Sequence, residues 1–232
     1  MSKTRRRSLG ATDYRRYCAL LGLTPDDSLT PRQRSAAIPQ WMNLPLIAST
    51  AARNKLRAFV ARTPQPWQTP DPAEVLTRLD FTGDTVMPHL LARLLVKLSP
   101  PVCAYAIERV QFVGAGIVTL GWCGAPTRTT RPWQIVLSGT PDDGGADRFS
   151  DLAGHEIAHC WLLPEPASDT RPAGAFWMQT VYELPLDRVQ KLKPSALAAV
   201  QRSREEACDC ERECLRLTRA WGLRDVGAEA RA

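Results

Sequence analysis

Histidine is scarce in this 232-residue chain, which has three. Long apolar runs are missing too. None approaches the roughly 18 residues that span a bilayer, and the longest are broken by Arg93 and Lys97 or by Pro164. No membrane-spanning helix is therefore expected. The first residues, MSKTRRRSLG, have the charge of an export leader, but ATDYRRYC follows in place of an apolar segment. A cytoplasmic location is the expectation. Seven cysteines, an odd number, are scattered with no spacing typical of a secreted disulfide framework, so reduced thiols are expected. No internal repeat of solenoid period is present. Acidic side chains are sparse in the first third: residues 1–70 carry 12 Lys and Arg against 3 Asp and Glu, a net +9, whereas 71–232 carry 18 against 21, a net −3.

What remains is an ordinary globular composition, 44% hydrophobic and 23% charged, long enough for one to two domains. The local basic excess suits contact with a polyanion, nucleic acid being the commonest, or else a solubilising tail. Helical spacing of Tyr14, Tyr17, Cys18 and Leu21 predicts a helix over 12–24, with Gly22 as its stop. A second is predicted over 50–62, with Leu56, Phe59 and Val60 on one face and Arg53, Lys55, Arg57 and Arg62 on the solvated one. Four prolines in 63–72 mark an extended connector. Short helices are predicted at 73–79 and 88–98. His89, near the second helix's start without ligand-type neighbours, reads as a structural or surface residue. Between 105 and 140 the period falls to 2, and Val, Ile, Phe and Trp broken by Gly and Pro predict two or three strands of an antiparallel ribbon. The expected organisation is a basic, helical 1–62, a connector 63–72, a catalytic domain 73–222 and a flexible tail 223–232.

The segment DLAGHEIAHCW, residues 151–161, carries the chemistry. It is read as a helix with Ser150 as N-cap and Asp151 in its first turn, ended by Pro164. Positions four apart share a helix face, so His155 and His159 can direct imidazoles at one ion, while Glu156, turned about 100° away, stays free to act on a bound water. This is the zincin arrangement: zinc held by three ligands, a water brought toward a pKa of about 7, and a glutamate as general base. The surrounding residues are apolar on nearly every side. Burying two imidazoles and a carboxylate costs several kcal/mol unless they are satisfied, and a metal satisfies them better than carbonyls would.

A third ligand must come from downstream. Residues 195–221 contain neither Pro nor Gly and predict a long helix, stopped by Gly222, whose apolar stripe holds Ala196, Val200, Ala207, Cys210, Cys214, Leu217 and Trp221. Glu206 lies near the edge of this stripe, about 60° from its centre, and Glu205 on the far side. Glu206 is the preferred ligand; Glu205, four residues before Asp209, suits an outer hydrogen-bonding role. Cys160, Cys210 and Cys214 read as small buried hydrophobes, with thiolate ligation or a second zinc site involving Cys208 as the alternative. Glu183 is expected on a loop.

Together, RFSDLAGHEIAHCWLL after a strand ribbon and EEACDCERECLRL on a later helix resemble gluzincin metallopeptidases, and among them the ImmA/IrrE type. In that family an HExxH helix is followed by a helix whose Glu-Ala dipeptide supplies the third ligand. The resemblance implies His155, His159 and Glu206 (followed by Ala207) as zinc ligands and Glu156 as base. It spans roughly 133–217, with Ala158 where the family usually has glycine. Tyr182 is nominated to stabilise the tetrahedral intermediate. The expected fold is α+β: a zincin-like domain with a small antiparallel sheet and an HExxH helix, preceded by a helical region. The expected function is zinc-dependent peptide hydrolysis, acting on a regulatory or DNA-associated protein; the alternative is a nucleic-acid-associated accessory protein with an inert zincin-like domain.

Overall fold

A computed structural model describes residues 10–37, 50–64, 66–83, 85–114, 121–124, 131–137, 145–163, 165 and 211–224. In chain order these form α1 (Ala11–Leu21), α2 (Pro31–Ala37), α3 (Thr50–Arg62), α4 (Pro72–Arg78), β1 (Asp80–Thr82), α5 (Met87–Leu95), α6 (Pro100–Arg109), β2 (Val110–Gly114), β3 (Gly121–Gly124), β4 (Trp133–Leu137) and α7 (Gly145–Leu162). Residues 211–220 are helical and are called α8. Among the described residues no helix is long and apolar enough to cross a membrane.

Helix α1 buries Tyr14, Cys18, Leu20 and Leu21 and ends at Gly22, whose φ of 69° is left-handed. A Cβ there would collide with the Val102 side chain. The connector leads into α4, whose first amides are capped by the Asp71 side chain accepting from the Ala73 N–H at 2.9 Å. Residues 105–109, where the period-2 stretch was expected to begin, belong to α6. The reason lies just upstream: Pro100 and Pro101 occupy the first turn, where a missing N–H is harmless, and Val102, Cys103, Tyr105, Ala106 and Ile107 then bury one helical face.

The sheet also departs from expectation. It has strand order β1-β2-β4-β3, with β1, β2 and β4 parallel and only β3 antiparallel, on β4. An antiparallel ribbon would have placed β3 in the middle. Instead β4 takes the inner position, burying Trp133, Ile135 and Leu137, while the short, glycine-flanked β3 lies at the edge. β1 joins the other edge, connected to β2 through α5 and α6, the crossover that parallel strands require. The observed class is therefore mixed helix and sheet with a small parallel three-strand core.

Helix α7 lies against β3, β4, α5 and α6. It begins at Gly145, so Ser150, expected to cap it, is one turn inside; Phe149 packs against the core and favours that earlier start. A single cluster of buried side chains runs from Tyr14, Leu56 and Phe59 through Leu95, Tyr105 and Ile135 to Trp161 and Leu217. Tyr105 is its hub. It meets Phe59 and Trp161 edge-on at 4.9 and 5.3 Å and its hydroxyl accepts from the Trp133 indole at 2.8 Å. Segments on both sides of the 63–72 connector thus share one core.

Lys55, expected on the solvated face of α3, turns inward. Its Nζ donates to the Cys160 and Leu163 carbonyls at 2.7 and 2.5 Å and lies 4.7 Å from the Tyr105 ring. The last carbonyls of α7 lack intrahelical donors, and the long lysine stem can reach them from a neighbouring helix.

Candidate metal centre

The helical repeat puts His155 and His159 one above the other on α7, both buried, at 7% and 4% exposure; Glu156 beside them is 7% exposed. Two contacts hold the adjoining chain against this helix. Gly154 leaves room for the Leu223 side chain, which a Cβ would strike, and the Arg224 N–H donates to Asp151 Oδ1 at 2.9 Å. Helix α8 is thereby anchored across the face that carries the histidines.

Glu211, at the start of the described part of α8, completes the cluster. Its two carboxylate oxygens lie 3.1 Å from His155 Nε2 and 3.2 Å from His159 Nε2, and the two Nε2 atoms are 3.1 Å apart. Ligand atoms about 2.0–2.1 Å from a tetrahedral metal ion such as zinc stand about 3.3–3.4 Å apart, so the three groups, slightly closer than that, could hold a metal ion after a small outward shift. The chemistry fits as well. If both Nε2 atoms are unprotonated, two lone pairs and a carboxylate converge on one point, an arrangement that a cation relieves. His155 Nδ1, a buried atom, has no hydrogen-bond partner among the described residues. Burial alone would push the Glu211 carboxyl up; when both Nε2 atoms carry protons, the hydrogen bonds that His155 and His159 donate outweigh burial and hold the group well below the ordinary carboxylate range. A metal at this point would displace the Nε2 protons and itself favour the ionised carboxylate. The Glu211 side chain retains 36% exposure against 9% and 5% for the two imidazoles, so the cluster opens to solvent on the α8 side.

The expected pair His155 and His159 and their neighbour Glu156 are therefore placed on one helix, as the HExxH reading requires. Glu205, Glu206, Tyr182, Cys208 and Cys210 lie outside the described residues. Among the described residues, the carboxylate brought to the histidines is Glu211, which the sequence reading passed over. A signal for it was present: Glu211, Cys214 and Thr218 recur at i, i+3 and i+7, the spacing of one helix face, next to the stripe that already contained Cys214 and Leu217. Cys214 is buried, as expected, but its Sγ also stands 3.2 Å from His159 Nδ1. His89 is exposed on α5.

Comparison of the chain with protein-family models, with curated proteins and with solved structures finds no match.

Proposed function

We propose that this chain is a zinc-dependent metallopeptidase with a zincin-like catalytic domain, its metal held by His155, His159 and Glu211. The observation that carries the reading is the convergence of two buried imidazoles and one carboxylate at 3.1–3.2 Å, with Glu156 next to the first ligand. Zinc, when bound, supplies a Lewis acid that brings a water's pKa toward about 7. With a metal held there, Glu156, next to His155 on the helix, would be the group to take a proton from the water and pass it to the leaving amine. The apolar wall of α7, with Ile157, Ala158 and Trp161 all fully buried, keeps bulk water from the histidines. Substrate reaches them from the side of Glu211. Glu211 here takes the role that the family resemblance gives to Glu206, and the substrate class, a regulatory or DNA-associated protein in a cytoplasmic setting, rests on that resemblance alone.

A second reading, a nucleic-acid-associated accessory protein whose metal site is inert, draws on Arg16, Arg32 and Arg57, exposed on α1, α2 and α3. One experiment separates the two. Metal content and peptide cleavage are measured for the wild type and Glu156→Gln. The expected result is one zinc per chain in both and cleavage in the wild type alone. Protein purified without stoichiometric zinc overturns the peptidase reading; zinc retained without cleavage by the wild type favours the inert site.

A further inference from the structure

Helix α8 reaches His159 at both of its ring nitrogens. Glu211 faces Nε2 and Cys214, three residues later on the same helical face, faces Nδ1 at 3.2 Å. The thiol is fully buried, so this approach is part of the packed interior. His155 differs: its Nδ1 has no hydrogen-bond partner among the described residues.

We infer that Cys214 is a positioning residue for the metal centre, its sulfur accepting the Nδ1–H of His159 and thereby presenting Nε2 as the ligand atom. The inference rests on the metal reading above. Neutral imidazole carries a single N–H, and a ring that ligates through Nε2 must carry it on Nδ1. A partner at Nδ1 selects that tautomer and fixes the ring's orientation before metal arrives. Carboxylates and backbone carbonyls commonly fill this place around ligating histidines. Sulfur is a weaker acceptor, but a thiol is small and largely apolar, so it can occupy a dry helix interface without the desolvation cost of a carboxylate. Because the ligand Glu211 and the positioning Cys214 share α8, one helix docking event sets both the ligand distance and the tautomer.

Two explanations of a buried Cys214 predict opposite rankings of substitutions. A residue that only fills space is replaced better by Val or Ala than by Ser, whose hydroxyl is costly in an apolar site. A positioning residue is replaced better by Ser, which still accepts a hydrogen bond. The test titrates the full-length protein with zinc alone, against a competing chelator, for the wild type, Cys214→Ser, Cys214→Ala and Cys214→Val. Affinity is expected to fall about 10–100-fold in the Ala and Val proteins, the usual effect of losing an outer hydrogen-bond partner, and to recover most of that loss in Ser. Ala or Val proteins that bind zinc like the wild type, or a Ser protein that binds no better than they do, overturn the inference while leaving the metal site standing. A wild type that binds no zinc overturns the metal reading and this inference with it. Should the substituted proteins fail to fold, imidazole nitrogen shifts in the zinc-loaded wild type decide: a proton on His159 Nδ1 supports the inference, and zinc on Nδ1 overturns it.

Discussion

Glu211 and Lys55 are the two side chains whose surroundings most change what their residue type would suggest. Glu211 faces both imidazoles at 3.1 and 3.2 Å, so Glu211→Gln, nearly isosteric but without a charge to offer a cation, is expected to weaken zinc binding by more than the roughly 10–100-fold typical of an outer partner. Glu206→Gln made in parallel is expected to leave it unchanged, and chelator competition reads both. Lys55 is half-buried, and the loss of water around its amine pulls the group down to about 7 from 10.5. Below pH 7 the group is protonated in folded and unfolded chains alike. Between about 7 and 10.5 the unfolded chain binds the proton more often, so folding gains stability as pH rises through that window. Lys55→Met lacks this titration. Urea midpoints are expected to show the wild type gaining on Lys55→Met from pH 7 to pH 10, and a constant difference would contradict the assignment.

At the scale of elements, the end of α1 ties the two ligand-bearing helices together. The last four carbonyls of a helix need donors from outside it. In α1, Cys18 and Ala19 receive theirs from the Leu23 and Gly22 N–H groups of the left-handed cap, at 2.7 and 3.1 Å. Leu20 and Leu21 receive theirs from the indoles of Trp161 on α7 and Trp221 beyond α8, each at 3.2 Å. One helix terminus therefore anchors both α7 and the end of α8, and so bears on how Glu211, at the other end of α8, meets the histidines. Trp221→Phe keeps much of the ring and removes the donor, leaving the buried Leu21 carbonyl short of a partner. A stability loss of about 1–3 kcal/mol is expected from denaturant unfolding, together with weaker zinc binding because α8 loses an anchor. Unchanged zinc affinity in a destabilised Trp221→Phe would show that α1 supports the fold without setting the site.

At the scale of the whole molecule, the basic N-terminal third is divided in its roles. Arg15 is paired with Asp27 at 2.8 Å and Arg62 with Glu108 at 3.3 Å, and α1 and α3 lend Tyr14, Leu21, Leu56 and Phe59 to the common core. Deleting residues 1–62 would therefore remove core side chains as well as charge. Nucleic-acid contact is better tested by neutralising Lys3, Arg5, Arg6 and Arg7 in the intact chain. If those residues contact phosphate, a low-salt gel shift by the wild type is expected to weaken in the neutralised protein, with a shallower dependence on salt. A bound metal also acts on the entire fold, since it binds the native chain and the unfolded one lacks the assembled site. At free zinc 100 times the dissociation constant the stabilisation is about 2.7 kcal/mol, so chelation is expected to lower the unfolding temperature of the wild type and have little effect on Glu211→Gln.

The sequence by itself determined what depends on neighbours along the chain. His155, Glu156 and His159 lie within five residues, so the helical repeat alone puts both imidazoles on one face. The stops at Gly22 and Gly222, where φ is 69° and 80°, were legible for the same reason, as was the burial of Cys214 and Leu217. What depends on distant partners was decided only by tertiary structure. Strand periodicity says which face of β4 is buried but not which strands flank it, so the parallel pairing of β2 with β4 was not visible. Lys55 reads as a surface charge until the end of α7 is placed beside it. Glu211 stands 52 positions beyond His159, and Glu205, Glu206 and Glu211 share the same helical sequence. An apolar stripe limits which of them can face inward, but the carboxylate that meets the imidazoles depends on how far α8 slides along α7. That register is held by Trp221 on α1, Leu223 over Gly154 and the Arg224 N–H on Asp151, contacts between residues far apart in the chain.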